Sequence, residues 1–135
     1  MFDGLKWANV TSTEDAGLAI KLRYGGAMVG WDDNRIIVYG GVRYEPNYEV
    51  VDDVWEFNID TATWRDITPK KIGSLSADYL PLPNSGHSMV KVTFENGTSI
   101  VVSYGGYSPA YGYLSTVQEF IIESPTLYDN DNGVK

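Results

Sequence analysis

Residues 35–41 read Arg-Ile-Ile-Val-Tyr-Gly-Gly, and residues 99–106 read Ser-Ile-Val-Val-Ser-Tyr-Gly-Gly. A continuous apolar run of this length, followed by glycine, is typical of a strand that is buried on both faces. The segments that follow also repeat, with Tyr44 and Tyr107 lying 63 residues apart (107 − 44), while the two diglycines are 65 apart (105 − 40). A nearly fixed period of this size indicates a repeat array, in which each unit buries its apolar face against a neighbour.

Each unit contains four strand signals in the same order. Residues 25–29 and 86–92 predict the first strand, and the apolar runs that end in diglycine predict the second. Residues 54–59 alternate in polarity, which is the pattern of a third strand, and a fourth begins at Trp64. Short turns join strands one to two and three to four, whereas the other connections are long. Because connections alternate between the two ends of an up-and-down sheet, we expect all the long loops to share one end.

These motifs resemble kelch repeats, in which an apolar strand ends in Gly-Gly and a spaced Tyr and Trp follow. Gly40-Gly41 and Gly105-Gly106 match the diglycine, Trp64 matches the Trp, and Gly86-His87-Ser88 resembles the start of the first strand. The resemblance implies an all-β fold, with two four-stranded antiparallel blades of a kelch-type β-propeller. It assigns structural roles to these residues: Gly40, Gly41, Trp64, His87, Gly105 and Gly106.

The resemblance also sets the domain organisation. Residues 1–11 are expected to form the outer strand of a preceding blade, residues 12–68 the first blade, and residues 69–135 the second blade with a degenerate last strand and a tail. Because a propeller needs about four blades to close, two blades form an incomplete ring that is part of a larger propeller or is completed by other chains. We expect large apolar residues such as Trp55 and Phe120 to lie on uncovered faces, and the chain alone to be oligomeric, poorly soluble or partly folded.

Composition restricts the partners. The net charge of −8 argues against nucleic acid, whose phosphates are bound by excess Lys and Arg. No apolar run is long enough for membrane insertion. The chain has no cysteine, which removes disulfides and thiolate metal sites. The sequence favours a cytoplasmic location slightly and leaves an extracellular one open.

Catalytic chemistry has little support. His87 is the only histidine, and it has no second His or Cys with which to bind a metal. We therefore expect no catalytic residues, no metal and no cofactor. The alternative is part of a kelch-like propeller enzyme, an oxidase or a sugar isomerase, whose catalytic residues lie mostly outside this chain. Asn96-Gly97-Thr98, at a hairpin tip, and Asn9-Val10-Thr11, at a strand edge, match the glycosylation sequon.

The main functional candidate is a repeated Tyr-x-Pro-x-Tyr motif, which occurs in the long loop after each diglycine. Proline stiffens a loop, and tyrosine provides a large amphipathic contact at low entropic cost. The candidate binding residues are Arg43, Tyr44, Pro46, Tyr48, Tyr107, Pro109, Tyr111 and Tyr113. We expect a non-enzymatic protein-binding scaffold that holds a partner across these loops, with Arg43 and the loop carboxylates selecting charge. Two alternatives remain: the tyrosines only pack on neighbouring blades, or the chain is a structural component of a larger assembly.

Overall fold

The computed structural model describes residues 6, 20–44, 46–69 and 81–122, and its regular secondary structure there is antiparallel β-sheet. The strands are, in chain order, β1 (Arg23–Tyr24), β2 (Ala27–Gly30), β3 (Arg35–Tyr39), β4 (Val42–Arg43), β5 (Glu49–Val50), β6 (Val54–Asn58), β7 (Thr63–Asp66), β8 (Ser88–Thr93), β9 (Ser99–Tyr104), β10 (Tyr107–Ser108), β11 (Gly112–Tyr113) and β12 (Val117–Phe120). Two large sheets form the blades, and two small sheets form at the long loops.

The first blade is a four-stranded sheet with the order β2-β3-β6-β7. Its ladders place Tyr39 opposite both Ala27 and Val54, and Phe57 opposite Trp64. The two short turns have the positions that the sequence predicted. The first four-stranded blade is therefore confirmed.

The second blade repeats this arrangement with the order β12-β9-β8. Tyr104 lies opposite Ser88 and Val117, as Tyr39 does opposite its own two partners. The two diglycines follow these tyrosines directly and hold equivalent positions, which confirms the repeat. The predicted degenerate last strand of the second blade and the predicted outer strand of residues 1–11, apart from residue 6, lie outside the described residues.

The hydrophobic core lies between the two blades. The first blade contributes Ile37, Tyr39 and Val54, and the second contributes Val101 and Phe120. The ring centroids of Tyr39 and Phe120 are 4.9 Å apart, and the Tyr39 hydroxyl donates a hydrogen bond to the Leu82 carbonyl. Burial raises the pKa of the Tyr39 phenol, and the nearby negative charge of Asp52 adds to this effect. The two sheets therefore stabilise each other, and each large side chain buried there contributes about 1.5–3 kcal/mol.

Two details of the faces differ from the sequence prediction. Trp55 and Phe120 were expected on uncovered faces, but their exposures are only 8% and 9%. Phe120 lies on the side of its blade that is turned toward the first blade, and the Trp55 indole nitrogen donates to the Asp53 carboxylate at 2.8 Å. The expectation was wrong for Phe120. Trp55 does lie on the side of its blade that is turned away from the second blade, opposite Val38, but it is buried there. The exposed apolar side chains of the large sheets include Met28 and Val117.

The third strand of the first blade also buries a charge. Glu56 is buried, and its carboxylate accepts hydrogen bonds from Arg35 at 3.3 Å and from Arg65 at 3.0 Å. Two guanidinium groups compensate for the lost hydration, which makes burial of the carboxylate tolerable. The alternating polarity of β6 therefore does not separate a covered face from a solvent face.

Candidate functional site

The long connections are folded into small sheets. β1, β4 and β5 form a three-stranded sheet with the order β1-β4-β5, and β10 and β11 form a hairpin. We call them the first and second loop sheets. One strand of each loop sheet, β4 or β10, begins directly after a diglycine. The diglycine residues have positive φ, 68° and 100° for Gly40 and Gly41, and 73° and 96° for Gly105 and Gly106. This left-handed backbone turns the chain out of the blade, and glycine adopts it without strain.

The diglycines also lie close to other backbone segments. A Cβ atom added to Gly41 would lie 2.8 Å from the Tyr24 carbonyl oxygen and 2.9 Å from the Gly26 nitrogen. A Cβ atom added to Gly106 would overlap the Asn84 side chain and lie 2.8 Å from the Ser85 oxygen. Both the positive φ and the close approach therefore require glycine at these two positions.

Asn84 joins the two loop sheets and was not singled out from the sequence. It is fully buried, and its backbone bonds to the first loop region: its N–H donates to the Val51 oxygen at 3.2 Å, and its oxygen accepts from the Gly41 nitrogen at 2.8 Å. Its side-chain Nδ2 donates to the Gly105 oxygen of the second unit at 2.9 Å. The equivalent residue of the first unit, Arg23, donates from Nη1 to the Gly40 oxygen at 3.1 Å. Because Arg and Asn share no sequence signal, the equivalence becomes visible only in the structure.

The residues after Asn84 extend this connection. Ser85 and Tyr107 exchange two backbone hydrogen bonds, of 3.0 and 2.8 Å, and the Gly86 nitrogen donates to the Gly25 oxygen at 2.7 Å. Residues 84–86 therefore bond to both units. As a result, the two loop sheets lie next to each other at one end of the blades.

The first loop sheet carries a cluster of exposed tyrosines, which we call the first tyrosine cluster: Tyr24, Tyr44 and Tyr48. Ring centroids lie 5.4 Å apart for Tyr44 and Tyr48, which meet edge to face at 87°, and 5.8 Å apart for Tyr24 and Tyr44. The hydroxyl groups of Tyr24 and Tyr48 are hydrogen-bonded to each other. The cluster is held together by its own contacts and presents its rings to solvent.

The second loop sheet carries a smaller cluster. The rings of Tyr107 and Tyr113 meet edge to face with centroids 5.6 Å apart, and Tyr111 is exposed in the turn between their strands. Both motif prolines, Pro46 and Pro109, are exposed beside the tyrosines. The same end of the two blades thus presents aromatic rings from both loop sheets.

The charged residues at this end are mostly paired. Arg43 forms an ion pair with Glu49 directly across β4 and β5, and Arg23 forms one with Asp53 at 2.5 Å. Asp52, which lies between Glu49 and Asp53 in the sequence, is exposed. The positive charge of Arg43, which the sequence analysis assigned to partner selection, is therefore compensated within its own loop sheet.

His87 lies in the contact between the blades. It is buried, and its ring centroid lies 4.7 Å from that of Tyr39. Burial lowers the pKa of the His87 imidazole. Among the described residues, no three His, Asp or Glu side chains are grouped closely enough to hold a metal ion.

The remaining candidate residues lie away from the loop sheets. Trp64 is half-buried on β7, with its ring centroid 4.8 Å from that of Phe57. Asn96 is exposed in the turn between β8 and β9, and its Oδ1 accepts a hydrogen bond from the Thr98 nitrogen at 3.0 Å. The second sequon residue, Asn9, lies outside the described residues.

The fold and its repeated loop sheets define the class of protein. Antiparallel sheets that repeat along the chain and pack face to face fit the blades of a β-propeller. The family model of the Attractin/LZTR1 beta-propeller matches residues 1–131. The chain therefore belongs to this kelch-type propeller family and holds two blades of a larger propeller. This membership supports a general role as a scaffold for protein interactions.

In the part of the chain that the structure describes, no helix has the length and apolar character needed to cross a membrane.

Proposed function

We propose that the chain is a non-enzymatic protein-binding scaffold, which holds a segment of a partner protein against the tyrosines of its two loop sheets. The observation that carries this proposal is the exposure of tyrosines from both repeated motifs at one end of the blades. Tyrosine is enriched at the energetic centres of interfaces, because its large ring loses little conformational entropy on binding and its hydroxyl can hydrogen-bond. Contact through these particular tyrosines would make the general scaffold role, which the family supports, specific to the loop sheets.

The geometry of the loop sheets supports contact of the tyrosines with a partner protein more than packing of their rings against a blade. Tyrosines that only stabilise the loops would bury their rings against a blade, whereas Tyr44, Tyr48 and Tyr111 remain exposed. The backbone beneath them is fixed by the hydrogen bonds of Asn84 and Ser85. A surface that is ordered before binding loses less entropy when the partner arrives.

Charge indicates what the partner carries. The chain has a net charge of −8, Asp52 is exposed, and Arg43 is already paired with Glu49. The negative charge of the chain increases its association rate with basic partners and disfavours the binding of acidic ones. Arg and Lys side chains also bind favourably over tyrosine rings. A basic segment therefore fits this surface best.

The proposal can be tested with peptides selected on the chain itself. Random peptides displayed on phage are selected for binding to the chain, and the enriched sequences are synthesised for titration. Changing Tyr44, Tyr48, Tyr107 and Tyr111 to Ser should weaken their binding at least about tenfold, since hot-spot aromatics contribute 2 kcal/mol or more. Enriched peptides should be basic.

Tyr104→Ser is the matched control, because it removes an equally exposed tyrosine from a blade face rather than from a loop sheet. This variant should bind the peptides as the parent does. Circular dichroism of the fourfold variant should show a retained β-fold. Loss of the fold would support the packing alternative, and unchanged binding by a folded variant would remove the loop sheets as the binding surface.

An enzymatic role would require a converging set of His, Arg and Tyr side chains from other parts of a propeller. Nothing in the geometry of the described residues favours it, and we do not propose it.

A further inference from the structure

The turn between β8 and β9 carries a modification motif that the proposed function does not use. Asn96, Gly97 and Thr98 match the N-glycosylation sequon, in which threonine or serine follows an asparagine two residues later. Residues 93–98 are all exposed. The motif therefore lies where a bulky group can be attached without entering the core.

The hydrogen bonds of this turn leave the reactive atom of Asn96 available. The turn is closed by a bond from the Phe94 nitrogen to the Thr98 oxygen at 2.8 Å. Asn96 Oδ1 accepts from the Thr98 nitrogen at 3.0 Å. Because that bond uses Oδ1, it leaves Nδ2, the atom to which a glycan is joined. A Cβ atom added to the neighbouring Gly97 would meet nothing within 4 Å, so that the space beside Asn96 is open.

The equivalent turn of the first blade shows what a neighbouring blade does to this position. The Trp31 nitrogen donates to the Arg35 oxygen at 2.8 Å, and the same bond closes the second-blade turn, which makes Asp33 the counterpart of Asn96. Asp33 is exposed although the second blade covers one face of that sheet. Blades pack through the faces of their sheets, whereas these turns lie at the sheet ends. Burial of a blade face by its neighbour therefore leaves this turn position exposed.

The turn lies at the end of the second blade that is opposite to the loop sheets. In the ladder of β8 and β9, Thr93 pairs with Ser99 beside the turn, and Ser88 pairs with Tyr104 at the other end. Tyr104 is followed directly by the diglycine that leads into the second loop sheet. A group attached at Asn96 is therefore separated from the tyrosine clusters by the length of the blade strands.

We propose that Asn96 is an acceptor for an N-linked glycan, which the chain receives in the secretory pathway. This takes the extracellular location that the sequence leaves open. Nδ2 of Asn96 attacks the anomeric carbon of an oligosaccharide that is carried on a lipid pyrophosphate. The new C–N bond forms as the C–O bond to the pyrophosphate breaks, Nδ2 loses one proton, and the lipid pyrophosphate leaves with the bonding electrons. The Thr98 hydroxyl is the part of the sequon that the cellular transferase requires.

Expression of the 135-residue chain in a eukaryotic cell line, behind a cleavable signal peptide, tests this proposal. All versions carry Asn9→Gln, so that the sequon at Asn96 is the only one. The chain should gain one glycan, seen as a mass increase that peptide-N-glycosidase removes and that leaves an aspartate at position 96. Asn96→Gln and Thr98→Val should each abolish this increase. The mass is measured on secreted and cell-retained chain, so that poor secretion does not hide the modification.

Thr93→Val is the matched control, because it removes an exposed threonine of the same hairpin outside the sequon. This variant should be modified as fully as the chain that carries Asn9→Gln alone. An unmodified Asn96 in that chain would overturn the proposal, as would a glycan that persists in Thr98→Val. Because the turn is exposed, the glycosylated and the enzyme-treated chain should melt at the same temperature. A chain that folds only after the glycan is removed would show that this turn does not carry it.

The position of the turn has one consequence that rests on the proposed function. Glycosylated and enzyme-treated chains should bind the selected basic peptides with equal affinity, since the glycan lies at the end opposite to the tyrosines. Weaker binding by the glycosylated chain alone would overturn this placement. Failure of both forms to bind would count against the tyrosine surface, whereas the mass measurement decides on Asn96 independently.

Discussion

The two blades carry the same side chains at several equivalent positions, such as Tyr39 and Tyr104 or Val54 and Val117, but differ in what covers them. Tyr39 in the first blade and Tyr104 in the second both end the second strand, directly before a diglycine. The first is fully buried under the second blade, and the other is more than half exposed. In a repeat protein, the energetic contribution of a side chain thus depends on the neighbouring unit as much as on its own strand.

The diglycines show the same difference. A Cβ atom on Gly40 would overlap the Asn84 oxygen and lie 3.0 Å from the His87 ring, both of which belong to the second unit. A Cβ atom on the equivalent Gly105 would find its nearest neighbour, the Leu114 oxygen, at 3.8 Å. The close approach at the first diglycine residue therefore comes from the following unit and not from the glycine's own sheet.

The largest expected effect comes from truncating the two equivalent tyrosines. Tyr39→Ala should lower the free energy of unfolding by about 3–5 kcal/mol, because it leaves a cavity between the blades and removes the hydrogen bond to Leu82. Tyr104→Ala should cost less than about 1 kcal/mol, since exposed positions contribute little. Urea unfolding of dilute chain measures both. Equal losses would mean that the blades do not pack as described.

A smaller difference is expected between Gly40→Ala and Gly105→Ala. Both replace glycine at positive φ, 68° and 73°, which costs about 1–2 kcal/mol. Only Gly40→Ala also crowds the neighbouring unit, which adds about 1–3 kcal/mol of overpacking. Thermal or urea unfolding of the pair isolates this second contribution. If Gly105→Ala proves the more damaging change, the neighbour is not the cause.

The smallest expected effect is on the pH dependence of stability. It arises from His87 of the second blade, whose equivalent in the first blade is Gly26. Burial lowers the pKa of His87 in the folded chain below its ordinary value of 6.5, so that the unfolded chain binds the proton more readily. The contribution of neutral His87 to the free energy of unfolding is therefore fully present above about pH 6.5, and it is lost as pH falls through the pKa of the folded state. His87→Phe keeps an aromatic ring but cannot titrate.

The free energy of unfolding should therefore fall more between about pH 7.5 and about pH 5 in the parent than in His87→Phe. Asp32 does not interfere, because Arg35 lowers the pKa of its carboxylate below the ordinary 3.8 and its contribution is lost only in more acidic solution. Parallel pH profiles for the parent and the variant would show that His87 is not buried in a neutral state.

Much of the fold was predictable from the sequence, because the relevant signals are local. The apolar runs at residues 35–39 and 99–104 gave the second strands, and the diglycines gave the point at which the chain leaves each blade. The alternation in residues 54–58 gave the third strand. Each of these patterns depends on strand geometry and on the backbone freedom of glycine.

The remaining features depend on contacts between distant segments. The loop sheets form because Asn84 and Ser85 bond to both units, and no periodicity marks these residues. The burial of Phe120 depends on which side of its sheet meets the first blade, which the alternation of a single strand does not specify. For the candidate site, the sequence supplied the tyrosines, and the structure adds Tyr24 and the pairing of Arg43 with Glu49.

The most direct test of the central claim, that the neighbouring blade decides the burial of equivalent residues, is hydroxyl-radical labelling of the dilute, intact chain with detection by mass spectrometry. Tyr39 and Tyr104 are compared within the same molecules, and the exposed Tyr113 provides the reference for full reactivity. We expect Tyr104 to be labelled readily and Tyr39 to be protected until the chain unfolds. Equal labelling of Tyr39 and Tyr104 in the folded chain would contradict the account.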